Sequence, residues 1–129
     1  MITLHEVELP LLTSGEPISF LHLSDLHVTP RQKGKLEDLL ELSTYEPDFT
    51  IVTGDFLAHH DAIEPLIKAL SGLLHRPGAF VFGSNDYYAP KLKNPFSYLM
   101  PDKGKRKLGS ELPWRELREQ LINHGWIDL

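Results

Sequence analysis

Three apolar stretches of this chain end in polar side chains of the types that bind metal ions. The side chains at these ends are Asp25, His27, Asp55, Asn85 and Asp86. Carboxylate oxygens, imidazole nitrogens and amide oxygens are ligands of divalent ions such as Mn²⁺ and Zn²⁺. If the chain brings these side chains together, their types predict a metal site with oxygen and nitrogen ligands. A thiolate site is excluded, since the chain has no cysteine.

The apolar stretches that precede these side chains, 18–23, 49–53 and 79–82, read as buried strands. Asp25, Asp55 and Asn85 follow one another at intervals of 30 residues, the length of one βαβ unit. Parallel strands end at one edge of their sheet, and ligands of open α/β sheets bind there. Since side chains at i and i+2 of a strand share a face, Asp25 and His27 are expected to point the same way.

Amphipathic helices are predicted between the strands. Apolar residues at helical spacing, including Leu36, Leu39 and Leu40, predict a helix over about 32–45. A second helix is predicted from Asp61, as N-cap with Glu64 as its capping-box partner, to Leu74.

The two ends of the chain carry weaker patterns. Residues 1–12 alternate loosely and predict a short first strand that pairs in a hairpin with the strand beginning at Ile18. Ser110 is expected to cap a last helix that Gly125 stops, and Trp126 is expected to begin another strand.

In chain order, Asp25-Leu26-His27, Gly54-Asp55 and Gly83-Ser84-Asn85-Asp86 resemble the first three motifs of the calcineurin-like metallophosphoesterases. Those motifs are Asp-x-His, Gly-Asp and Gly-Asn-His-Asp/Glu. Together with the two tyrosines that follow it, the third motif is similar to the sequence Gly-Ser-Asn-Asp-Tyr-Tyr found in a bacterial subgroup of this family. The resemblance covers roughly residues 18–100, and the later motifs of the family, a lone His and Gly-His-x-His, are absent.

The resemblance implies a role for each matching residue. Asp25 and His27 would bind one metal ion, Asp55 would bridge two, and a side chain of the third motif would bind the second. An alignment without gaps gives that last position to Ser84, whereas an alignment by chemistry gives it to Asn85, which we favour because an amide oxygen is the better ligand. The metals implied are Mn, Fe, Zn or Co, two in the complete site and one or none here.

The third motif also departs from the family at its catalytic histidine. The histidine that serves the family as general acid has no counterpart in the chain, so Asp55, Asn85 and Asp86 are the residues that we associate with catalysis. Asp86 is expected to orient a neighbouring group or a water molecule.

The resemblance implies an α/β fold, namely the amino-terminal half of a four-layer α-β-β-α sandwich with a βαβαβ lobe and a carboxy-terminal helix. Residues 1–129 would then be a single, incomplete domain. Half of a sandwich leaves uncovered the apolar sheet face that the second sheet would cover, and such a face favours association. A homodimer or a complementing carboxy-terminal half is therefore expected as partner.

Two functions follow from these observations. The first is a divalent-metal-dependent phosphoesterase that hydrolyses a phosphomonoester or phosphodiester with a metal-activated water. The alternative is a catalytically incomplete half-domain that binds a metal ion or a partner. The sequence does not distinguish nucleotides, phospholipid headgroups, phosphoproteins and sugar phosphates as substrates.

A long Pro- and Gly-containing segment, 87–109, carries most of its charge as lysine and arginine. It reads either as a solvated loop or as a basic rim that attracts a phosphorylated substrate. The net charge of −5 argues against general nucleic-acid binding, and no apolar run approaches the length of a membrane span. These features and the absence of cysteine fit a cytoplasmic protein.

Three further histidines could belong to the site. His22 lies within the first apolar stretch and is interpreted as a core residue. His59 and His60 follow Asp55 closely and are interpreted as an exposed approach to a helix, with contact to substrate as the alternative.

Overall fold

The computed structural model describes residues 2–89 and 110–129. These residues form a parallel sheet of four strands with five helices and one 3₁₀ turn. The strands are β1 (Phe20–Ser24), β2 (Phe49–Thr53), β3 (Gly78–Val81) and β4 (Ile127–Asp128). The helices are α1 (Lys33–Glu41), α2 (Ile63–Ala69), α3 (Ser71–Leu74), α4 (Ser84–Tyr87) and α5 (Trp114–Asn123), and the 3₁₀ turn is Leu42–Tyr45.

The strands lie in the sheet in the order in which they occur in the chain, and each neighbouring pair is parallel. Right-handed crossovers between strands in this order carry every connecting helix to the same face of the sheet. The sheet accordingly has one face covered by helices and one open face. This α/β architecture, with a βαβαβ unit followed by a carboxy-terminal helix, confirms the fold predicted from the sequence.

The hydrophobic core lies between the covered face and the helices. Leu21 and Leu23 of β1, Val52 of β2 and Phe80 of β3 are buried on this face. They belong to one cluster with apolar side chains of the helices, among them Leu39, Leu66, Leu73, Leu117 and Leu121. Burying these side chains supplies the main stabilising free energy of the fold, at roughly 1.5–3 kcal/mol for each large side chain.

The open face carries apolar side chains in contact with water. Phe20, Val81 and Ile127 are 64%, 37% and 57% exposed there. The ring of Phe20 packs on that of Phe49, with centroids 6.0 Å apart. Within residues 2–89 and 110–129, this sheet face therefore exposes apolar side chains, as the resemblance leads us to expect.

The prediction that His22 is a core residue is wrong. The side chains of β1 alternate in burial, and His22 lies on the open face with Phe20. Its Nε2 is 2.7 Å from the hydroxyl oxygen of Thr53 on the neighbouring strand. In a strand, odd- and even-numbered residues point to opposite faces of the sheet. When both groups are apolar, the sequence does not reveal which of them faces the core.

The predicted strand over residues 1–12 is also wrong for the residues described, since 2–19 contain no strand. Val7, Leu9 and Leu11 alternate as a strand would, but they are 74%, 66% and 76% exposed. An isolated strand is not stable without a partner that pairs with its backbone and covers its apolar side. The segment is held near its start, where the Ile2 N–H donates to Asp38 Oδ2 at 2.8 Å.

Both predicted helix caps are wrong. Helix α2 begins after Ala62 without a side-chain cap, and Asp61 instead donates its backbone N–H to Nδ1 of His59 at 3.0 Å. Helix α5 begins after Pro113, while the Ser110 hydroxyl lies 2.8 Å from Nε2 of His60. The Ser110 hydroxyl thus contacts a residue 50 positions away in the sequence, which a pattern of residue types does not show.

The second predicted helix, from Asp61 to Leu74, is divided at Leu70 into α2 and α3. The predictions for the first helix, for the end of the last helix and for the fourth strand are confirmed. Helix α1 with its 3₁₀ turn spans almost all of the predicted 32–45. Gly125, with φ of +91°, follows α5, and β4 begins two residues later.

Most of the predicted basic loop, residues 90–109, lies outside the described residues. Tyr87, at its start, packs edge-on against Trp114 with ring centroids 5.1 Å apart, as part of the packing under α5. In the described part of the chain, no helix is long and apolar enough to cross a membrane.

Candidate metal centre

The chain continues in parallel beyond the ends of β1 and β2, and this continuation builds the site. The His27 N–H donates to the Asp55 carbonyl oxygen at 2.7 Å, and the Val28 N–H donates to the Phe56 carbonyl oxygen at 2.8 Å. Two backbone hydrogen bonds therefore hold the loop that carries Asp25 and His27 against the loop that carries Asp55.

Asp25, His27 and Asp55 each place a potential ligand atom within 4.8 Å of the other two. Nε2 of His27 lies 3.7 Å from Oδ2 of Asp55. Ligand atoms at about 2.0–2.2 Å from a shared ion lie at most about 4.4 Å apart. The three side chains fit a divalent ion after a movement of a few tenths of an ångström.

Water and small molecules reach this cluster. Asp25 is exposed, and the side chains of His27 and Asp55 are 41% and 16% exposed. If each of these three side chains supplies one ligand atom, coordination positions stay open for a further side chain, water or substrate.

The backbone at all three residues lies in the left-handed region. Their φ angles are +52° at Asp25, +43° at His27 and +54° at Asp55, and among the described non-glycine residues only Glu46 shares this feature. Such conformations cost free energy and tend to occur at functional sites. Strand alternation predicts that Asp25 and His27 share a face, but β1 ends at Ser24, and they converge through these left-handed turns instead.

Asn85, in the segment that follows β3, contacts Asp55. Its backbone N–H donates to Oδ1 of Asp55 at 3.1 Å, and its side-chain Nδ2 donates to Oδ2 at 2.9 Å. The orientation of the amide follows from this hydrogen bond. The amide nitrogen faces Asp55 here, and the amide would have to rotate by half a turn to present its oxygen, so the ligand role of Asn85 remains a prediction. Ser84, the alternative, is exposed at the start of α4.

Two glycines allow the third strand end to approach Asp55. A Cβ on Gly83 would lie 2.1 Å from Oδ1 of Asp55 and 2.8 Å from its backbone nitrogen. Gly54 has φ of +73°, and a Cβ there would lie 3.1 Å from the backbone of Gly83. The motifs alone do not show this packing role, although a glycine directly before a candidate ligand, as Gly54 is before Asp55, is a signal for it.

The calcineurin-like phosphoesterase family profile matches residues 18–128, which include the sheet and every residue of the site. The chain belongs to the calcineurin-like phosphoesterase family. No curated protein and no solved structure matched the chain. Membership of this family places the chain among the metal-dependent phosphoesterases in general, while the subgroup motif remains a prediction.

In this family member, the Asp86 side chain has no exposed surface. Its Oδ1 accepts the Leu57 N–H at 3.0 Å, and its Oδ2 accepts the Gly83 N–H at 2.9 Å. Burial raises the pKa of this carboxyl, and the backbone N–H groups oppose that rise. Asp86 thus ties the loop after β2 to the loop after β3, and a direct catalytic role for it remains a prediction.

His59 and His60 are exposed, as their interpretation as an approach to a helix requires. His59 lies in the loop after β2, and Nε2 of His60 is 2.8 Å from the hydroxyl oxygen of Ser110. Neither is among the three residues whose ligand atoms converge.

Replacing His27 with glycine or with alanine separates backbone strain from metal binding. Alanine keeps the strain of a positive φ, and glycine relieves it, so without metal the glycine variant is expected to be more stable by about 1 kcal/mol. Both variants lack the imidazole and are expected to lose most of the stabilisation by Mn²⁺. Urea unfolding with and without Mn²⁺ measures both effects. Equal metal-free stability of the two variants would show that the turn at position 27 is unstrained.

Proposed function

We propose that this chain is a divalent-metal-dependent phosphoesterase that hydrolyses a phosphomonoester or a phosphodiester. Asp25, His27 and Asp55 are the proposed metal ligands, and Asn85 adds an amide oxygen. The observation that carries the proposal is the convergence of three ligand atoms within 4.8 Å at the strand ends of a calcineurin-like phosphoesterase.

A divalent ion bound there would lower the pKa of a coordinated water and offset negative charge on the phosphoryl oxygens. Oδ2 of Asp55 faces both His27 and the Asn85 amide, whereas Oδ1 accepts the Asn85 backbone N–H. An ion at Oδ2 would therefore have His27 and Asn85 beside it. The proposed bridging of two ions by Asp55 rests on the resemblance to the family and not on these contacts. Mn²⁺ is the first ion to try, and Fe, Zn and Co suit the same oxygen and nitrogen ligands.

The position of the family's general acid holds no histidine here. Among the described residues beyond Asp86, the one histidine is His124, which ends α5 with its Nδ1 2.7 Å from the Gln120 carbonyl oxygen. Protonation of the leaving group then falls to solvent. The proposed enzyme is therefore expected to favour esters whose leaving groups depart without a proton, such as 4-nitrophenolate.

The alternative function, a half-domain that binds a metal ion or a partner, draws support from the open sheet face. Phe20, Val81 and Ile127 on this face are exposed, and a sheet face with exposed apolar side chains is a candidate interaction surface. A second copy or a complementing half is the proposed partner, and the cytoplasm is the proposed location.

The experiment that tests the proposed function is hydrolysis of bis(4-nitrophenyl) phosphate by the purified chain. We expect release of 4-nitrophenolate with Mn²⁺, loss of the release with excess EDTA, and recovery when Mn²⁺ is restored, because the activated water requires the ion. The thermal midpoint is measured in the same samples. Stabilisation by Mn²⁺ without hydrolysis would favour the binding module, and absence of both effects would refute the metal site.

A further inference from the structure

An open cavity of about 600 Å³ lies beside the proposed metal centre. Its lining residues are Thr29, Pro30, Arg31, His59 and Asp61. The Ala58 N–H donates to the Val28 carbonyl oxygen at 3.0 Å, so the two loops that carry the metal ligands run side by side into this cavity. Thr29 is two residues beyond His27, so their Cα atoms are at most about 8 Å apart.

Arg31 supplies the cavity with an uncommitted positive charge. Its side chain is exposed, and its guanidinium makes no hydrogen bond or ion pair with any residue in 2–89 or 110–129. A guanidinium group binds the oxygens of phosphate and carboxylate groups through two parallel hydrogen bonds. Arg31 is therefore free to bind an anionic group that enters the cavity.

His59 adds a hydrogen-bond donor. The Asp61 backbone N–H donates to Nδ1 of His59 at 3.0 Å, so Nδ1 acts as the acceptor and the neutral ring carries its proton on Nε2. The Asp61 carboxylate lies 3.8 Å from Nδ1, which is too far to reverse this assignment. Since that carboxylate is 84% exposed, water and salt screen much of its negative charge.

We propose that this cavity binds a second anionic group of the substrate, separate from the phosphate that is hydrolysed, and that Arg31 and His59 are its specificity residues. The inference rests on the proposed phosphoesterase function and narrows its substrate class to molecules with two anionic groups. The scissile phosphate is bound at the metal centre, and the second group is bound at Arg31.

Titration calorimetry in Mn²⁺ with two nucleotides tests the proposal without requiring turnover. Thymidine 3′,5′-bisphosphate carries one more phosphate than thymidine 5′-phosphate and is otherwise the same molecule. The wild-type chain is expected to bind the bisphosphate at least about tenfold more tightly, as one charge-assisted bidentate contact allows. Arg31→Ala is expected to reduce this preference to less than about threefold.

Arg115→Ala is the matched control, because it removes an equal charge from an exposed arginine that pairs with Glu111 outside this cavity. It is expected to keep the tenfold preference, and Arg31→Lys is expected to keep part of it. An equal preference in the wild type and in Arg31→Ala would overturn the proposal, as would failure of the wild type to prefer the bisphosphate. Since binding is measured apart from hydrolysis, an Arg31-dependent preference in a chain that does not hydrolyse bis(4-nitrophenyl) phosphate would favour the binding module and leave the anion site standing.

Discussion

Replacing Asp55 with asparagine is expected to abolish the thermal stabilisation that Mn²⁺ gives to the wild-type chain. Asp55 lies at the centre of the site, 3.7 Å from His27 and hydrogen-bonded twice to Asn85. A ligand at 100 times its Kd stabilises the folded state by about 2.7 kcal/mol. For a chain of this size, that corresponds to a rise of roughly 10 °C in Tm, and the variant is expected to show less than a quarter of it.

Hydrolysis of bis(4-nitrophenyl) phosphate is expected to fall at least about 100-fold in the same variant, because a neutral amide binds and bridges divalent ions poorly. Glu119→Gln is the matched control, since it removes an exposed carboxylate from α5, far along the chain from the site. It is expected to keep both the Tm response and the activity. A Tm gain in Asp55→Asn equal to that of the wild type would show that the ion binds elsewhere.

Metal-free stability separates this effect from misfolding. Asparagine at position 55 weakens the hydrogen bonds from Asn85, and it also removes repulsion between two neighbouring carboxylates. The two changes oppose each other, and each is about 1 kcal/mol. The variant is therefore expected to unfold in urea at nearly the wild-type midpoint when EDTA is present.

The strands that carry the site could be predicted because their local signals agree. The apolar stretch before Asp55 is bounded by Pro47 and Gly54, and β2 has the predicted limits of Phe49–Thr53. An interval of 30 residues between strand ends leaves room for one crossover helix, which fixes a parallel sheet. The gathering of Asp25, His27 and Asp55 at one sheet edge followed from that topology.

The finer geometry of the site depends on contacts between segments distant in sequence, and residue types alone did not reveal it. The left-handed turns at Asp25 and His27 are held by the hydrogen bond from His27 to the Asp55 carbonyl, about 30 residues away along the chain. The alternation of residues 2–12 predicted a strand, but alternation states only that one side is apolar and does not supply a partner. Likewise, the residue type of Asp86 does not reveal that its side chain is buried or that its carboxylate accepts two backbone hydrogen bonds.

Gly83 also makes a contact between segments distant in sequence, because it lies against Asp55. Gly83→Ala is expected to lower both the stability of the fold and the affinity for Mn²⁺. A Cβ at this position would lie 2.1 Å from Oδ1 of Asp55 and 2.8 Å from its backbone nitrogen. Rotation of the carboxylate could relieve the first contact, but the second requires the backbone to shift. We expect a loss of about 2 kcal/mol in the free energy of unfolding and a fall of at least about tenfold in Mn²⁺ affinity.

Gly34→Ala is the matched control, because Gly34 lies in α1 and a Cβ there would meet nothing within 4 Å. Alanine favours a helix over glycine by roughly 0.5–1 kcal/mol, so this variant is expected to be slightly more stable and to bind Mn²⁺ normally. Urea unfolding and Mn²⁺ titration of the two variants side by side measure the difference. If Gly83→Ala matches the wild type in both measurements, the close approach of the third strand end to Asp55 does not exist in solution, and Asn85 loses its claim to be a ligand. If stability falls while Mn²⁺ affinity is kept, Gly83 is needed for packing alone, and the ion is held by Asp25, His27 and Asp55 without the third strand.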